Sequence, residues 1–145
     1  MFSANFYADP SRPSGVKDGI TYGDLCNYLE ELFETIPPQK LFLLQVADAQ
    51  KPRQIFTSSR NAPATMKWSR TSRLFPCEEL EGAYLPVEEY IRTIMELGYN
   101  GVWSLEIFST SLDSDSGDTS ACHARRGIEG LEKLYARIAY ENNAN

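Results

Sequence analysis

At 145 residues, with 23% charged and 42% hydrophobic content, the chain is long enough for one domain with a real core and ordinary for a soluble globular protein. A net charge of −6, a pI of about 4.8 and the lack of a basic patch spaced with aromatics exclude nucleic acid as an expected partner. Cys26, Cys77 and Cys122 are an odd number without CxxC spacing, no apolar run approaches the ~18 residues of a membrane span, and the N-terminus has no signal-peptide pattern. The expectation is a cytoplasmic protein with neither a disulfide framework nor a membrane partner.

Residues 8–20, rich in Pro, Gly and Asp, read as loop. A helix is predicted over 21–36, with Leu25, Leu29, Leu32 and Ile36 at spacings of three and four and Pro37-Pro38 as its stop. A strand follows at 40–47. Residues 49–72 show no period and form a long connection of the kind used as a lid or substrate loop. "RLFPCEE" at 73–79 is a short strand candidate, and a helix is expected over 86–97, with Val87, Ile91, Ile94 and Met95 inward and Gly98 as its end. A second strong strand spans 101–108. A polar loop at 109–120 leads into a last helix at 121–140 carrying Ile128, Leu131, Leu134 and Ile138 on one face.

Helix, strand, strand, helix, strand, helix implies an α/β fold with parallel pairing, in which ligands sit at the C-terminal ends of the strands. Gln45 and Glu106 fall at those ends, with Asp48, Glu78 and Glu79 close by in sequence. A carboxylate following "VWSL" cannot be buried unpaired without a cost of several kcal/mol, so Glu106 needs a cation, a hydrogen-bond partner or solvent beside it. Together Gln45 and Glu106 look like oxygen ligands for a hard divalent cation, although two ligands do not complete a site. Between them, "WSRTSRLFPCEE" gathers Ser69, Arg70 and Arg73, suited to holding a carboxylate or phosphate. His123 reads as a surface or helix-start residue.

Four blocks, "LFLLQVADA", "WSRTSRLFPCEELEGAYLPVEEYI", "LGYNGVWSLEIFS" and "HARRGIEGLEKL", together resemble the C-terminal half of fungal 3-dehydroshikimate dehydratases. That family lies in the sugar phosphate isomerase/epimerase superfamily, with a xylose isomerase-like TIM barrel. The resemblance implies one partial (β/α)8 domain over residues 1–145, and a lyase that converts 3-dehydroshikimate to protocatechuate in quinate and shikimate catabolism. It also implies a divalent metal ion, Mg2+, Mn2+ or Co2+, with Gln45 matching the third ligand and Glu106 the fourth, and Ser69 and Arg73 gripping the substrate carboxylate.

A full barrel needs about 250 residues. The family's first two ligands, a Glu and an Asp, and its base have no match in this sequence, so the N-terminal half of the barrel is expected to be absent and the isolated chain inactive. Open sheet edges and an uncovered apolar face would then favour self-association. Two other readings stand beside this one: a related isomerase or epimerase acting on a sugar-like polyol, and a non-catalytic half barrel that pairs with another chain.

Overall fold

The protein is described by a computed structural model covering residues 6–142. Helix α1, Tyr22–Thr35, begins where the chain can satisfy its own first turn. Thr21 Oγ1 accepts the Asp24 N–H at 3.3 Å, and Asp24 Oδ2 accepts the Thr21 N–H at 2.7 Å, a reciprocal capping box. Replacing Thr21 with alanine removes one half of that exchange and is expected to cost about 1 kcal/mol in chemical denaturation. Leu25 and Leu29 are fully buried. Ile36, expected on the same face, lies in the extended C-cap and is 44% exposed, because Pro37 turns the chain before the stripe is complete.

Strands β1, Leu43–Val46, and β4, Val102–Leu105, pair in parallel, with Leu43 opposite Val102 and Gln45 opposite Ser104. Helix α3, Val87–Glu96, lies between them in sequence and packs against both α1 and the last helix, α4, Thr119–Asn142. Gly98 adopts φ 103° just past α3, a left-handed stop that suits glycine. Along β1 the pleat alternates: Leu44 and Val46 enter the core with Ile91, Ile94, Leu134 and Ile138, whereas Leu43 and Gln45 face outward. The architecture is mixed α/β around a small parallel sheet, helices covering one of its faces.

Three expectations are corrected. "RLFPCEE" contributes only Arg73–Leu74, strand β3, which pairs antiparallel with β2, Asp48–Ala49, and so forms a separate ribbon, not a third parallel strand. The 49–72 connection contains a helix, α2, Ala64–Ser69, pinned by Trp68, whose buried indole donates to the Gln50 carbonyl at 2.9 Å. On α4 the inward face is His123, Gly127, Gly130, Leu134 and Ile138, while Ile128 is 58% exposed. Two glycines allow that face to approach residues 75–76 so closely that the helix rolls away from the apolar stripe its larger side chains imply.

Candidate active site

A cavity of about 230 Å³ opens at the C-terminal end of β1 and brings together Gln45, Ser69, Arg73 and Glu106. These four come from different segments: β1, the end of α2, β3, and the residue following β4. Gln45 and Glu106 share one face of the parallel pair, since Gln45 is opposite Ser104 and Glu106 stands two residues further along. The Glu106 N–H reaches the Val46 carbonyl at 3.5 Å, continuing the ladder past β4.

Of the three environments open to Glu106, a cation, a hydrogen-bond partner or solvent, the fold supplies a cation. Arg73 Nη1 donates to Glu106 Oε2 in an ion pair whose arginine end is buried and whose glutamate end is partly open. Arg73 is fixed from other sides too: Nε donates to the Ser69 carbonyl at 3.1 Å, the guanidinium lies 4.8 Å from the Phe108 ring centroid, and the Arg73 backbone N–H donates to the Phe108 carbonyl at 3.0 Å. A buried guanidinium held this way needs its counter-charge. Ser69 is also buried, its hydroxyl making, among the described residues, only a long contact, 3.4 Å, to the Met66 carbonyl.

Asp48, a residue of the same cavity wall, is organised differently. Its Oδ1 accepts the backbone N–H groups of Ala49 at 2.7 Å, Leu85 at 2.9 Å and Tyr84 at 3.2 Å. Burial outweighs those donors and pushes its carboxyl up to about 6. Asp48 thus ties the entry to α3 onto the end of β1 and closes the excursion between them. Of the other carboxylates placed near the strand ends by sequence, Glu78 is held by Arg126 at 2.7 Å and also accepts the Phe75 N–H at 2.9 Å. Glu79 pairs with Arg137 at 2.6 Å beside a separate cavity of about 350 Å³.

His123 is buried, contrary to the surface position expected. Nδ1 must donate to the Thr119 carbonyl at 2.7 Å, since a carbonyl only accepts; Nε2 lies 3.0 Å from Ser111 Oγ and 3.5 Å from Arg126 Nη1. It thereby ties the segment following Glu106 and Phe108 to α4. Neither this role nor that of Phe108 carries a local sequence signal, because both depend on contacts between distant segments.

The Gln45 side chain and Glu106 Oε1 have no hydrogen bond among the described residues, so two hard oxygen donors face one space, a set that fits part of the shell of Mg2+, Mn2+ or Co2+. No group of three or more His, Cys, Asp or Glu among the described residues is arranged to hold a metal ion. Among the same residues no helix is long and apolar enough to cross a membrane.

Comparison with known proteins agrees with the blocks read from the sequence. The chain is 32% identical over 138 residues to a protein named 3-dehydroshikimate dehydratase from Neurospora crassa. The match takes in 88% of this chain and 37% of that relative, so the chain spans little more than a third of the relative's length. No family model matches, and no solved structure does. Over most of its own length, then, the chain is similar to a part of a 3-dehydroshikimate dehydratase.

Proposed function

We propose that these residues form part of the active site of a metal-dependent lyase acting on 3-dehydroshikimate, within one partial xylose isomerase-like (β/α)8 domain. The observation that carries the reading is the convergence of Gln45, Ser69, Arg73 and Glu106, four residues from four segments, on one cavity at the strand ends. Gln45 and Glu106 would hold a divalent cation, which when bound polarises a substrate ketone and favours loss of the adjacent proton. Arg73 and Ser69 orient the substrate carboxylate beside Glu106. The buried wall formed by Trp68, Leu85 and Ile91 keeps water from the ring. Two further ligands and the base are needed besides these groups, and the family's pattern places them upstream of β1.

The test is to co-produce the chain with the segment of the Neurospora relative that it does not match, purify the complex, and follow protocatechuate formation by absorbance with Mg2+, Mn2+ or Co2+. Metal-dependent turnover is expected, lowered at least about a thousandfold by Gln45→Ala or Glu106→Ala. A complex that assembles yet shows no lyase activity with any of the three ions would sink the reading.

One observation favours a second reading, a half barrel that pairs with another chain. Leu43 and Val102, register partners on the open face, are 48% and 65% exposed. Each parallel strand also has one unpaired edge among the described residues. Sedimentation of the purified chain tests pairing with a second copy: a monomer across micromolar concentrations removes that form of the reading.

A further inference from the structure

We propose that Glu106 is an internal occupant of the anion seat at Arg73, so that the cavity admits a carboxylate ligand only when the Glu106 charge is neutralised. The inference rests on the reading that Arg73 faces the substrate carboxylate, and adds to it an order of events.

Arg73 is the one cation among the described residues lining the cavity, against the two carboxylates of Asp48 and Glu106. An incoming carboxylate therefore meets a net negative wall. Half of its seat is also taken, because Nη1 of Arg73 is given to Glu106 and a carboxylate gripped by both Nη groups needs it. The guanidinium cannot swing out to meet a ligand elsewhere: the Ser69 carbonyl holds its Nε and the Phe108 ring covers it. Its side chain is 8% exposed, whereas that of Glu106 is 38% exposed, so the carboxylate is the partner with room to leave. Asp48 forms no ion pair with Arg73 among the described residues, and its Oδ1 is committed to three backbone N–H groups. A divalent cation on Glu106 is one means of neutralising it. Cation and carboxylate then bind with positive coupling, and that coupling is reciprocal.

The test needs no metal and uses the chain as it stands. Benzoate and 3,4-dihydroxybenzoate are titrated by calorimetry into the unsubstituted protein, into Glu106→Gln and into the double variant Arg73→Gln/Glu106→Gln. Glu106→Gln is expected to bind at least about tenfold more tightly than the unsubstituted protein, with the gain lost in the double variant. Equal binding with and without Glu106, a gain that survives loss of Arg73, or no binding of either probe to a folded Glu106→Gln overturns the proposal. Should Glu106→Gln not fold, the Arg73 Nε resonance of the unsubstituted protein decides. It must stay in place as benzoate is added, and a shift overturns the proposal. A gain of equal size for the two probes upholds the exclusion by Glu106 while counting against a hydroxylated ring as the natural ligand, so the two readings fail separately.

Discussion

Asp48→Asn is expected to leave the fold intact and to be more stable than the unsubstituted protein at pH 7, whereas Asp48→Ala is expected to lose stability. The asparagine keeps a carbonyl oxygen for the N–H groups of Ala49, Tyr84 and Leu85, and removes the charge that burial disfavours. The folded carboxyl, raised from 3.8 to about 6, binds its proton more tightly than the unfolded one. Its contribution to stability is therefore most favourable below pH 3.8 and is lost as pH rises through about 6. A shift of that size corresponds to about 2–3 kcal/mol between the two limits. The stability difference between Asp48→Asn and the unsubstituted protein should accordingly be about 2 kcal/mol in favour of asparagine at pH 7 and shrink toward zero near pH 4. Alanine supplies no acceptor and strands the buried N–H groups of Ala49 and Leu85 and the part-buried one of Tyr84, a loss of about 2–4 kcal/mol. Urea midpoints of the three proteins at pH 4, 5.5 and 7 check this; a pH-independent difference for asparagine would show that the carboxyl is not perturbed.

Gly130→Ala is the second substitution with a large expected effect. A Cβ built there would lie 2.6 Å from the backbone carbonyl oxygen of Pro76 and 3.4 Å from Phe75 Cβ. The 2.6 Å neighbour is main chain, so relief requires α4 to move off residues 75–76. The overpacking cost, about 2–4 kcal/mol, exceeds the ~1 kcal/mol that alanine gains over glycine in a helix. Net destabilisation of about 1–3 kcal/mol is expected in thermal or urea unfolding. Gly117→Ala, with nothing within 4 Å of the added atom, serves as the control and should be neutral within about 0.5 kcal/mol. A displaced α4 also disturbs the cavity at the end of β1: Leu134 and Ile138 share the core with β1, and Arg126 braces Glu78, which accepts the Phe75 N–H two residues from Arg73. Gly130→Ala should therefore weaken carboxylate binding in a Glu106→Gln background as well as lower stability.

Much of the molecule was legible in the sequence because it depends on neighbours in the chain. Helices α1 and α3 follow from apolar spacing and the stops at Pro37 and Gly98. Both follow local rules that hold wherever the segment is placed. Strands β1 and β4 follow from short apolar runs between turn signals, and the position of Gln45 and Glu106 at their ends puts both on one cavity. The resemblance carried by four blocks was likewise a property of the sequence.

Tertiary structure decided the rest, for reasons that no window of residues contains. Arg73–Leu74 pairs with Asp48–Ala49 because the excursion after β1 doubles back, and that closure depends on Asp48 collecting N–H groups from residues 36 and 37 positions away. Ile128 is exposed and Gly127 and Gly130 are buried because a helix turns its smallest residues toward the closest backbone, whatever face its larger side chains mark. His123 is interior because Ser111 and the Phe75 ring reach it from other segments. The identity of Glu106's partner was equally out of reach. Its context required a cation, a hydrogen-bond partner or solvent, but only the fold, by setting β3 beside the end of β4, chose Arg73 as its ion-pair partner.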